Sequence, residues 1–248
     1  MKHTITHADE LFWGNPAKLG ARAERGVPIN PLVKFSLGAP LTLDANGLIV
    51  AATGAELPNA ETINYAFPSA GTSPLDGANQ TGTLDVPRNI TIAVTHASSV
   101  VAMTVVVTGK DKYGDALVES IAIAATGTTQ AGTGKKAFKS VSNIALTAAG
   151  DSTTNTLDLG WGDVLGLPYR LEGKYDLLSF SADETAETIT STVVAAVATS
   201  PATATTGDVR GTIDPATACN GTVVFRGWMK IQGVATVAEA YGVAQYGG

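Results

Sequence analysis

"VVAMTVVVTGKDKYGDALVESIAIAATG", Val100–Gly127, is the stretch on which the fold turns. Valine, isoleucine and threonine dominate both of its arms. Such β-branched side chains suit a pleated, half-buried surface. Between the arms, "GKDKYGD" (Gly109–Asp115) gathers glycine and aspartate, the chemistry of a turn. The stretch predicts two antiparallel strands joined by a polar connection.

The same texture extends on both sides. "RNITIAVTHA" (88–97) alternates and puts Ile90, Ile92 and Val94 on one face. "KKAFKSVSNIALTAAGD" (135–151) spaces Phe138, Val141 and Ile144 as one helical turn would, but its β-branched content and Gly150-Asp151 favour a strand with a local break. Upstream, "FSLGAPLTLDANGLIVAATG" (35–54) reads as a hairpin turning at Asp44–Gly47, where Asn46 and Gly47 tolerate positive φ. The Gly-, Pro- and Thr-rich segment 54–87 is a long surface excursion with one short strand near Ile63–Phe67. Downstream, 187–215 suggests a long strand, a Thr/Ala/Pro link and another strand. "NGTVVFRGWMKIQG" (220–233) suggests a strand after an Asn-Gly turn. Short strands at close intervals with almost no amphipathic helix predict an all-β, antiparallel β-sandwich or jelly-roll-like domain. No fixed-period repeat points to a solenoid or propeller.

The N-terminal residues differ. "THADELFWGNPAKLGARAERG" (6–26) begins like a helix, with Thr6 as N-cap and Asp9 and Glu10 in the first turn. Gly14, Asn15 and Pro16 break it, and Pro28, Pro31 and Pro40 follow. We read residues 1–34 as an extended arm and 35–248 as the sandwich domain with long loops. Phe12 and Trp13 on the arm need a partner surface in the same subunit or a neighbour.

Composition narrows the function. Of 248 residues only 15% are charged, against about 25% in an ordinary soluble domain. So few charges suit a surface covered by subunit contact. The net charge of −6, with no concentrated basic stretch, argues against nucleic acid as a partner. No apolar run reaches the ~20 residues of a membrane helix, so no membrane partner is expected. The start lacks the order of a signal peptide, which predicts folding in a cytoplasm. The lone Cys219 is read as a small buried residue.

No constellation of residues carries chemistry. His3 and His7 could share a helical face, but no third ligand stands near, and His96 follows a strand. "GKDKYGD" and "ADETAE" lack the ligand pattern of a calcium loop and read as polar hairpin loops. "GTGKKAF" (132–138) is superficially similar to a phosphate loop but lacks its spacing, and reads as a solvated hairpin tip. No nucleophile elbow or Ser/His/Asp set is present, so no enzyme, metal or cofactor is expected. "LDLGWGDVLGLPYRL" (157–171) concentrates glycine around Trp161 and Asp163. Without a partner acid, base or metal for Asp163, it reads as a bend that fixes Trp161 and starts a core strand. Leu165, Leu167 and Leu171, interrupted by Pro168, would then form an edge strand or bulge.

"TLDVPRNITIAVTHAS", "VVVTGKDKYGDALVESIAI", "GKKAFKSVSNIALTAAGD", "GWGDVLGLPYRL" and "TTGDVRGTIDPATACNGTVVF" occur in this order. Together they resemble the head decoration, or cement, proteins of tailed bacteriophages, over roughly Leu84–Phe225 and more weakly over Phe35–Phe67. The resemblance implies a β-sandwich on the outer capsid surface, commonly a homotrimer, bound to the major capsid protein and without catalysis. It carries no functional residues over. Candidate capsid or subunit contacts are therefore aromatic: Phe12 and Trp13 on the arm, with Trp161 and Trp228. The alternative is a phage spike or fibre module that binds a host glycan or receptor through an aromatic platform drawn from Tyr65, Trp161 or Trp228. A β-sandwich hydrolase is a further competitor, disfavoured by the poor histidine supply and scattered acids.

Overall fold

A computed structural model describes residues 32–53, 63–66, 79, 81–95, 102–147, 156–186, 193–197, 199–231 and 238–248. Residues 1–31, with Phe12 and Trp13, and all three histidines lie outside the described residues, whereas residues 32–34, read above as the end of the arm, belong to the first strand.

The chain is all-β, with antiparallel sheets, one curled into a half-barrel, consistent with a β-sandwich. A four-stranded sheet is built from β1 (Leu32–Gly38), β14 (Phe225–Lys230), β10 (Leu177–Ala182) and β11 (Thr185–Ala186), in that order. The larger sheet follows a path through β12 (Val193–Val194), β13 (Thr212–Ile213), β9 (Thr156–Gly166), β4 (Thr83–Thr95), β8 (Phe138–Thr147), β5 (Met103–Lys110) and β6 (Ala116–Ile123). Three further strands join it off this path. They are β2 (Asp44–Thr53) on β9, β3 (Ile63–Ala66) on β8 and β7 (Thr129–Thr133) on β4.

Alternation explains the core. Val105 and Val107 of β5, Ile121 and Ile123 of β6, Ile90, Ile92 and Val94 of β4, and Leu157 and Leu159 of β9 are buried together in one cluster. A second cluster lies under the four-stranded sheet, where Phe35, Phe180 and Phe225 stack with ring centroids 6.5 and 5.6 Å apart. Cys219 is buried there, and burial pushes its thiol up to about 12 with help from the adjacent Asp163.

The hairpin of Val100–Gly127 forms as the sequence predicts, with Met103–Lys110 paired to Ala116–Ile123 without a slip. Asp111 Oδ1 closes its turn by accepting the amides of Tyr113 (2.8 Å) and Asp115 (3.0 Å). "ADETAE" also forms a hairpin turn, at Asp183–Glu184, both with positive φ (46° and 67°).

Several expectations are corrected. Asp44–Gly47 is no hairpin turn: it lies inside β2, which pairs with β9 through an irregular register, while β1 pairs with β14. "GWGD" is no bend either, because β9 runs extended through Gly160, Gly162 and Gly166, none of which has positive φ. The two errors have one cause. A Cβ on Gly160 would meet the carbonyl oxygen of Asp44 at 1.8 Å, and one on Gly47 would meet the Trp161 ring at 2.4 Å. The glycines let β2 and β9 press together, a use of glycine that needs no turn. Leu165 lies in β9, a strand paired on both sides rather than an edge, but it directly follows a bulge, where Trp161–Leu165 of β9 stand opposite Ile90–Arg88 of β4, and Leu167 and Leu171 are buried beyond the strand's end. Segment 187–215 supplies only two two-residue strands among its described residues, because Thr and Ala offer little apolar surface to bury.

Candidate interaction surfaces

Several charged residues of the phrases singled out in the sequence are buried in ion pairs and hydrogen bonds. Arg88 is fully buried between the sheets. Its Nε donates to the Gly162 carbonyl (2.9 Å), one terminal nitrogen reaches the Leu41 carbonyl (3.0 Å) and Asp85 (3.2 Å), and the other reaches Asp163 (3.1 Å). Asp163 of the "GWGD" phrase is thus an ion-pair partner that ties β9 to β4.

A second polar network closes the far end of the large sheet. Asp111 Oδ2 pairs with Arg210 at 2.9 Å, and both are almost wholly buried. Gln245 donates to the same oxygen at 3.2 Å. The Arg210 guanidinium lies 5.1 Å from the Tyr113 ring, whose hydroxyl donates to the Pro168 carbonyl at 2.6 Å. Burial pushes that phenol up to about 12. Tyr241 packs edge-on against Tyr113 at 5.0 Å, and the Val118 amide donates to the Tyr246 carbonyl at 2.7 Å. The C-terminal residues therefore cover the free edge of β6, the end strand of the sheet path. An edge so covered cannot recruit another strand.

"GTGKKAF" belongs to this network and is not a solvated tip. Lys136 is fully buried, and its Nζ donates to the carbonyls of Val118 (3.0 Å) and Thr203 (2.8 Å) beneath the Tyr246 ring. Glu119 accepts the amides of Lys135 (2.5 Å) and Lys136 (3.3 Å). Asp208 accepts those of Ala137 (3.0 Å) and Arg210 (2.8 Å). Burial raises the carboxyls of Glu119 and Asp208 and lowers the amine of Lys136. Each group holds a backbone in place. Among the described residues, no three His, Cys, Asp or Glu side chains gather as a metal site would require. No helix among them is long and apolar enough to cross a membrane.

Among the described residues, two surfaces stand out. The first is the outer face of the four-stranded sheet. Lys34, Trp228 and Ser179 stand in one cross-strand row, Ser36, Arg226 and Ser181 in the next, and Leu32 opposite Lys230. Trp228 is 45% exposed, with Lys34 Nζ 5.9 Å from its ring centre. Leu178, at the bulge of β10, is exposed beside it. Just before β10, Tyr175 is exposed with Lys174 Nζ 5.2 Å from its ring. Glu184 pairs with Arg226.

The second surface is an open groove of about 770 Å³ lined by Leu41, Leu43, Asp44, Asp85 and Trp161 among others. Leu41 and Leu43 are half exposed at its rim. Trp161 is only 6% exposed and donates its indole N–H to the Thr42 carbonyl at 3.2 Å. Trp161 therefore serves the core and the groove floor, and Trp228 alone of the two tryptophans presents a broad surface. They stand in different sheets and form no joint platform. The cations around Trp228 escaped the sequence reading, although "FRGWMK" spaces Arg226, Trp228 and Lys230 two apart, as residues on one strand face must be.

No family model, curated protein or solved structure matches the chain.

Proposed function

We propose that the protein is a virion structural protein, a decoration or cement subunit on the outside of a tailed-bacteriophage head, made in the host cytoplasm. The observation that carries this reading is the face around Trp228: an exposed sheet face with a half-exposed tryptophan flanked by cations. Aromatic and cationic side chains on such a face suit contact with another protein, the shell or a sister subunit. The ordered likeness of five phrases to decoration proteins supports the same reading. In this reading the buried ion pairs brace the body against load.

In this role the subunit bridges neighbouring copies of the major capsid protein and resists the outward pressure of packaged DNA. It acts as a homotrimer, and many weak contacts add through high effective concentration. Residues 1–31, with Phe12 and Trp13, reach the shell or a sister subunit. Purified protein added to heads that lack it should co-sediment at a fixed stoichiometry and raise the temperature at which the heads release DNA. Deleting residues 1–30 should weaken that binding or trimer formation. Absence of co-sedimentation would overturn the proposal.

One observation favours a second reading. The same Trp228 ring, beside Ser179 and Lys34, could stack on a sugar in a spike or fibre module. Specific glycan-array binding that Trp228→Ala abolishes would promote that reading.

A further inference from the structure

The Trp228 face is aromatic and cationic, the Leu41–Leu43 groove is apolar at its rim and holds two carboxylates, Asp44 and Asp85, and we propose that they meet between copies of this chain, head to tail. The inference deepens the self-association part of the decoration reading and rests on it.

Charge selects a second copy as the occupant. Lys34, Lys174, Arg226 and Lys230 stand on or beside the face, with Asp183 and Glu184 as the acids in the turn at its end, so its charge is +2. The whole chain carries −6, which leaves −8 for the remainder. A cationic face on so acidic a molecule is attracted to the rest of another copy. It is not attracted to itself: two such faces brought together would oppose four cations with four, so a two-fold contact here is disfavoured.

Shape selects the groove. It has room for an indole, and its rim offers Leu41 and Leu43 as apolar contacts. Asp44 and Asp85 lie along it. Asp85 already binds Arg88 and the Leu41 amide, and Asp44 accepts the Asn46 amide. A carboxylate has more than one lone pair to give, so both can still face incoming lysines. The nearby Lys139 is turned to the carbonyls of Leu84 and Asp85. Trp228 then acts as the knob, Leu41 and Leu43 as the hole, and Lys34 and Lys230 meet the carboxylates. A contact between unlike patches closes into a ring when its rotation allows, with no restriction to even numbers of subunits.

The test uses the full chain, sized by analytical ultracentrifugation across ionic strength, with melting curves to confirm that each variant folds. The wild type should assemble at low salt and dissociate as salt rises. Trp228→Glu and Leu43→Glu, both at exposed positions, should each weaken assembly at least tenfold. Mixing these two variants should restore one contact, because the first keeps a groove and the second keeps a face, and the mixture should form dimers and nothing larger. Assembly unchanged in both variants would overturn this interface while leaving self-association through another surface standing. Monomeric variants that form no dimer on mixing would also overturn it. A wild type monomeric at every salt concentration would overturn the self-association reading itself.

Discussion

The long-strand half of the molecule and the region that closes it are stabilised by different means. In β4, β5, β6 and β9 alternate side chains are buried and mostly apolar over much of each strand, β8 buries Phe138, Val141, Ile144 and Leu146, and the sheet ladder follows. Segments 199–215 and 238–248 contain almost no strand, and they are held by Asp111–Arg210, Lys136 on Thr203 and Gln245 on Asp111. Apolar burial tolerates small changes of shape. A buried charge tolerates loss of its partner badly, because the survivor is left unpaired in a poorly solvating interior. The closing region should therefore be the more brittle of the two.

Asp111→Ala gives the largest expected effect. It strips Arg210 of its carboxylate and Gln245 of its acceptor. Breaking a buried pair from one side costs about 3–5 kcal/mol. Urea unfolding measures it, and a loss below about 1 kcal/mol would mean that the pair does not hold the closing region.

In the long-strand half, glycine is the sensitive point. Gly160→Ala places a methyl against the Asp44 carbonyl, which is backbone, whereas Gly162→Ala meets the side chain of Asn89 at 2.6 Å. Overpacking costs about 1–3 kcal/mol or more, and the backbone clash should be the costlier of the two. Equal losses would mean that β2 moves aside freely.

A smaller effect depends on pH. Burial raises the Glu119 carboxyl above its unfolded value, so the folded state holds the proton more tightly. Below the unfolded value of about 4.3 both states are protonated and no penalty applies. As pH rises through the folded value, stability is lost. The wild type should therefore lose stability relative to Glu119→Gln as pH rises from 4, in paired denaturation series. The opposite slope would contradict the burial of this carboxyl.

The smallest perturbation is chemical labelling of Cys219. With its thiol pushed up to about 12 and its side chain buried, it should resist alkylation at pH 8 until the protein unfolds. Fast labelling of native protein would show the second core to be open.

The same contrast explains what the sequence reveals. Ile90, Ile92 and Val94 alternate in print as they do in the sheet, and the Gly109–Asp115 turn is local, so the long-strand half is legible. The close approach of Gly160 to Asp44 links residues 116 apart, and no local pattern distinguishes it from a turn. The Arg210–Asp111 pair and the burial of Lys136 are likewise long-range, and on paper both residues look like solvated charges. The surface around Trp228 was half legible. Its period of two is local, but Lys34 and Ser179 come from distant strands.

The central claim is that the protein covers a capsid. Quantitative mass spectrometry of virus particles purified from the source that encodes the chain tests it most directly. A molar ratio to the major capsid protein near one is the predicted result. Absence of the chain from the particle would contradict the account.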